Sequence, residues 1–263
     1  MPTLERPTVT LAYEDRGSGP PLVFLHGWCD GSASWASTID EFSREFRCIA
    51  PDMRGHGASG LPRDHAYFPE ALSNDIVAVC AAAGVERPVL IGHSFGGFMA
   101  AEVAMRFPGF ARGIVVVDQV VALHDFAVQM RGAEGLIRSQ ETHMIFRTGL
   151  FDSMLSPLMP DEGRATIERM KLATPVVVGQ ALWAALFEYS LDEIDAMSER
   201  LMRAFANQPS LTIEAAPQAA YHERLRELAP GAQTAVIEGG HWVHLERPAE
   251  FRAELRRFLA GIG

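Results

Sequence analysis

Gly92-His93-Ser94-Phe95-Gly96 decides the fold. The pentapeptide follows Pro88-Val89-Leu90-Ile91, a short apolar run that reads as a buried strand. It precedes Gly97 to Met105, which reads as a helix. A strand, a sharp turn and a helix around G-x-S-x-G describe a nucleophile elbow, in which the serine hydroxyl stands above the edge of a sheet. The two glycines leave room around a strained serine backbone that no side chain can crowd. The Phe95 N–H, at the start of the helix, can donate to a developing oxyanion. Ser94 is therefore the candidate nucleophile. The plain alternative is a tight-turn serine, since small residues cluster in many loops.

Upstream, Val9 to Glu14 alternates as a half-exposed strand, and Pro21-Leu22-Val23-Phe24-Leu25 is apolar throughout, as a central strand buried on both faces should be. That run enters the glycine-punctuated loop His26-Gly27-Trp28-Cys29-Asp30-Gly31. A helix is expected over Trp35–Glu45, a strand over Phe46–Ala50 ending at Pro51-Asp52-Met53-Arg54-Gly55-His56-Gly57, and a helix over Phe68–Ala83 stopped by Gly84. Downstream of the elbow, Gly113 to Val117 is another buried strand, closed by Asp118. Strands alternating with helices predict a parallel sheet covered on both faces.

After Asp118 the rhythm changes. From about Val120 to Ala206 the patterns are helical, with Val176-Val177-Val178 the only strand-like triplet. The stretch is rich in methionine and contains Trp183, Phe187 and Tyr189. Individually these side chains read as helical core; together they suit a lid with an adaptable apolar face. Strands then resume at Leu211–Glu214 and Thr234–Ile237, separated by a helix over Tyr221–Leu228, and a helix over Pro248–Leu259 closes the chain. The expected division is a core of residues 1–119 and 207–263 with a helical cap of residues 120–206.

The chain has 263 residues, 48% of them hydrophobic and 21% charged, with a formal net charge of −10. That acidity argues against nucleic acid and anionic membranes as partners and is compatible with a small-molecule substrate. Cys29, Cys48 and Cys80 show no metal-ligand spacing and read as reduced thiols. No signal-peptide-like segment or membrane span is legible, so a cytoplasmic location is expected. No metal or cofactor is called for.

The whole set resembles the α/β-hydrolase superfamily. The matching pieces are His26-Gly27-Trp28, Asp52-Met53-Arg54-Gly55-His56-Gly57, Gly92-His93-Ser94-Phe95-Gly96-Gly97 and Gly240-His241-Trp242-Val243-His244-Leu245-Glu246, in that order. The resemblance implies an α/β fold with a mostly parallel sheet of about eight strands, a helical cap inserted after the sixth, and a pocket between cap and sheet. It implies His241 as the base that a serine hydroxyl needs, with His244 as a structural neighbour. It implies the Trp28 and Phe95 N–H groups as the oxyanion hole. His26 is expected to brace its loop and, with Trp183 and Trp242, to stand at the substrate pocket. His56 reads as turn chemistry, and His93 is expected beneath the elbow.

The acid departs from the commonest pattern. Family members usually carry an aspartate after the seventh strand, where this chain has Gln218, and a neutral amide cannot stabilise an imidazolium. Some branches place the acid after the sixth strand, at the position of Asp118. Glu214, read as a rim carboxylate, is the second candidate, and a chain without a working acid the third. The resemblance implies a serine hydrolase of an ester or lactone with a sizeable apolar part. A cofactor-free dioxygenase of a quinolone-like ring is the runner-up, because its oxyanion loop is similar to Gly27-Trp28-Cys29. However, Phe95 and Asp30 stand where those enzymes typically carry histidines. A small-molecule receptor on a hydrolase frame is the third class. Epoxide hydrolases and haloalkane dehalogenases use an aspartate at the elbow, which this chain lacks.

Overall fold

The computed structural model describes residues 1–262. Its sheet has eight strands: β1 (Thr3–Glu5), β2 (Thr10–Arg16), β3 (Pro21–Leu25), β4 (Arg47–Pro51), β5 (Val89–His93), β6 (Gly113–Val117), β7 (Ser210–Glu214) and β8 (Gln233–Val236). Their spatial order is β1-β2-β4-β3-β5-β6-β7-β8. The β1·β2 and β2·β4 pairings are antiparallel and the other five are parallel. Helices α1 (Ala36–Phe42), α2 (Pro69–Ala82) and α3 (Phe95–Arg106) connect the strands up to β6. Between β6 and β7 come α4 (His124–Gly132), α5 (Glu134–Arg138), α6 (His143–Met154), α7 (Asp161–Ala173), α8 (Val176–Ala181), α9 (Ala184–Glu188) and α10 (Leu191–Ala204). Then α11 (Ala219–Leu228) joins β7 to β8, and α12 (Val243–Glu246) and α13 (Pro248–Gly261) end the described chain.

Alternation along each central strand builds two cores, one per face. Leu22 and Phe24 of β3 point to the layer holding Phe42, Phe251, Leu255 and Phe258. Val23 and Leu25 point the other way, towards Ile76, Val103, Leu201 and Leu225. The continuous apolar runs of β3, β5 and β6 are thus explained by burial on both sides. Each fully buried Leu, Val or Phe contributes roughly 1.5–3 kcal/mol relative to exposure.

One element is not expected from the sequence, and one ambiguous triplet is resolved. β1, at the sheet edge, has only three residues and carries no alternation to read; with it, six strands precede the long helical stretch. Val176-Val177-Val178, the one strand-like triplet of this stretch, begins α8, in keeping with the helical reading of residues 120–206, with Pro175 in extended backbone at its start. β-branched propensity yields to context there.

Candidate active site

The carboxyl ends of β3, β5, β6, β7 and β8 open towards one cavity, as expected for a parallel sheet. Gly92 and Gly96 explain the elbow. A Cβ on Gly92 would sit 2.0 Å from the Gly96 carbonyl oxygen, and one on Gly96 would sit 2.2 Å from that of Leu25. Between them Ser94 adopts φ 51°, ψ −126°, a backbone that no helix or strand uses. Its N–H donates to the Val117 carbonyl at 2.9 Å, so the strained residue is pinned to the neighbouring strand. Cys29 (φ 53°) and Asp118 (φ 46°) are likewise left-handed, just past β3 and β6. Three strained residues at three adjacent strand ends mark the place where geometry is imposed against local preference.

Asp118 N–H donates to the Ile213 carbonyl at 2.7 Å. Its carboxylate Oδ1 accepts from the Ala215 N–H at 2.8 Å, and Oδ2 accepts from His241 Nδ1–H at 2.6 Å. A carboxylate only accepts, so Nδ1 carries a proton in this bond, and in the neutral ring Nε2 is then the acceptor. Ser94, Asp118, His241 and Gln218 all line the same cavity of about 650 Å³. The Trp28 and Phe95 N–H groups donate to no carbonyl or side chain among the described residues.

Glu214 corrects an expectation. It is not a rim carboxylate but is 1% exposed at the end of β7, off the cavity wall. Burial, then the Asp118 charge, pushes its carboxyl up to about 7. His26 is corrected as well. It is fully buried, with Nδ1–H donating to the Gly27 carbonyl at 2.8 Å and Nε2 accepting from Met53 N–H at 2.9 Å. Both nitrogens are occupied and the ring is not part of the cavity lining, so it braces the loop. Trp183 and Trp242 do line the cavity. His93 lies beneath the elbow, its Nε2–H donating to the His241 carbonyl at 2.9 Å. Burial, then the nearby His241 and His244, keeps it well below the usual imidazole range. His244 stacks on Trp35 at 4.1 Å, and burial holds it near pKa 3, so it stays neutral and away from solvent.

The helical stretch after β6 reaches the site at several points that carry no sequence signal. Trp28 Nε1–H donates to the Gly179 carbonyl of α8 at 2.9 Å. His241 N–H donates to the Met154 carbonyl at the end of α6, at 3.1 Å. Glu246 Oε2 accepts from Gly240 N–H at 2.5 Å and from the Ser156 hydroxyl, joining the histidine loop to the segment after α6. Glu246 stands within a quoted motif, but its partner Ser156 lies 90 residues away, so nothing local announces the pair.

Comparison with known proteins agrees with this fold. The family model described as alpha/beta hydrolase fold matches residues 20–139. The chain has the α/β-hydrolase fold. A solved structure described as Est816, an N-acyl homoserine lactone degrading enzyme, superposes with a TM-score of 0.79 at 26% identity, covering 98% of this chain and all of that one. The sn-1-specific diacylglycerol lipase ABHD11 of Mus musculus is 28% identical, over 92% of this chain and 81% of that protein. The 2-hydroxy-6-oxo-2,4-heptadienoate hydrolase of Pseudomonas putida is 26% identical over 94% of this chain and 91% of its own length. The α/β-hydrolase framework is thus that of a hydrolase family. No helix among the described residues is long and apolar enough to cross a membrane.

Proposed function

We propose that this α/β-hydrolase cleaves a carboxylic ester or lactone through an acyl-enzyme on Ser94. The observation that carries this reading is the 2.6 Å bond from His241 Nδ1–H to Asp118, which leaves Nε2 as a proton acceptor on the cavity that Ser94 lines. Ser94 Oγ attacks the carbonyl carbon while His241 Nε2 takes its proton, and Asp118 stabilises the imidazolium. The carbonyl π electrons move to oxygen, where the Phe95 and Trp28 N–H groups hold the oxyanion. Collapse expels the alkoxide, which takes the proton back from His241. Water, deprotonated by the same imidazole, then releases the acid. Residues 120–206 serve as the cap over this pocket. The lactone-degrading and lipase relatives support an acyl substrate of this type.

The test is labelling with a fluorophosphonate, followed by intact mass and an ester and lactone panel with oxygen uptake monitored. One adduct on Ser94, lost in Ser94→Ala together with turnover, supports the mechanism. Oxygen consumption that survives Ser94→Ala would replace it with the dioxygenase reading.

A further inference from the structure

The cavity wall carries several acids and no fixed cation. Among its described lining residues there is no lysine or arginine, while Asp30, Asp118, Asp125 and Glu188 all stand on it. Most of the remaining lining is apolar, including Trp28, Phe95, Phe98, Phe126, Phe151 and Trp183. Two guanidinium groups close to the wall are turned elsewhere. Arg147 lies behind the Trp28 ring, 5.7 Å from its centroid, and donates to the carbonyls of Lys171, Thr174 and Pro175 and to His143 Nε2. Arg131 donates to the backbone carbonyls of Leu186 and Tyr189. Of the three wall imidazoles, His93 is held neutral by burial and His241 is engaged by Asp118, which leaves only exposed His65 at the rim. Gln119 uses its amide N–H on the Val120 carbonyl at 2.7 Å.

From this wall, and building on the ester-hydrolase reading above, we infer that the pocket selects an uncharged acyl group of largely apolar character and rejects substrates bearing a second, free carboxylate. A carboxylate entering the cavity would lose hydration and meet no counter-ion, which is costly in an apolar surround. The rim acids Asp125 and Glu188, with a chain of net charge −10, oppose its approach as well.

A matched set of esters reads the charge alone: 4-nitrophenyl hexanoate, mono-4-nitrophenyl adipate and methyl 4-nitrophenyl adipate, at pH 8. The two neutral esters should agree in kcat/KM within about tenfold, and the free acid should fall roughly 100-fold or more below its methyl ester. Gln129→Arg, which puts a cation on the wall, should raise turnover of the acid at least tenfold over wild type while its melting temperature reports the fold. A free acid cleaved within threefold of its methyl ester overturns the inference. If none of the esters is cleaved and no fluorophosphonate adduct forms, the serine mechanism fails instead. Charge selection is then read by calorimetry on Ser94→Ala, with monomethyl adipate against dimethyl adipate. Tighter binding of the diester by tenfold or more supports the inference, and equal affinity overturns it.

Discussion

The ends of the central strands and the helices that follow β6 hold the site in different ways. Ser94 and Asp118 are fixed by their own strands: each has a left-handed backbone, and each N–H is bonded to a carbonyl of the next strand in the sheet. The helical stretch instead meets the site through aromatic contacts, such as Trp183 against Trp28 at 5.0 Å, and a few hydrogen bonds from backbone or Ser156. Strand ends give fixed direction, and packed aromatic rings give shape. Trp28 and His241 belong to both regimes, since each leaves a strand end and is also tied to the helices.

The strand-end regime should be the least forgiving. Ser94→Ala is expected to lower ester turnover by on the order of 10⁴ or more, with His241→Ala equally damaging and the double variant little worse. Single-turnover kinetics on the three proteins checks this, and additive losses would mean that the two residues do not act together. Asp118→Asn comes next. Its amide keeps the shape but favours the wrong imidazole tautomer, for a loss of roughly 10⁴, as in a serine-protease triad. Gln218→Asp in that background should return part of the activity, because Gln218 lines the same cavity as His241. Near-normal turnover by Asp118→Asn would remove Asp118 from the mechanism.

The shared contacts should show intermediate effects. Glu246→Gln weakens the tie between Gly240 and Ser156 without opening a cavity, so kcat should fall roughly tenfold through a displaced imidazole while KM holds. Ser156→Ala should move kcat in the same direction and by less. A change confined to KM would assign the tie to pocket shape instead of to the base.

Glu214→Gln should be the mildest for catalysis, within about tenfold of wild type. Its larger effect is on stability. The Glu214 carboxyl titrates near 7 in the folded chain against an ordinary 4.5, so between those values the folded state binds more protons than the unfolded one. Stability therefore falls as pH rises through that window and stays lowered above pH 7. Replacing the carboxyl by an amide should recover on the order of 2 kcal/mol at pH 8 and little at pH 4.5. Urea denaturation at the two pH values measures it, and equal gains at both would show that burial of the charge is not the cause.

The same contrast explains what was legible in the sequence. β3 and β6 were readable because burial on both faces forces unbroken apolar runs, and the elbow because two glycines must stand where a Cβ would meet backbone at about 2 Å. The pairing of Asp118 with His241 was readable only as a choice among acids, since Glu214 also ends a strand and its burial shows only in the folded chain. His26 looked available beside Gly27, and nothing local discloses that the Met53 N–H occupies its second nitrogen. The Glu246–Ser156 and Trp28–Gly179 ties are products of how distant helices dock, which no periodicity encodes.

The distance in sequence between the proposed acid and base has a consequence for how the chain becomes active. Asp118 and His241 are separated by 123 residues, and the β6·β7 pairing that supports Asp118 closes around the whole helical stretch. Such long loop closures come late in folding. The elbow is built from segments within residues 21–118, whereas the imidazole needs β7 and β8 in place as well. A chain cut short before β8 would thus hold the nucleophile without its base, and without the His241 and Trp242 wall of the pocket.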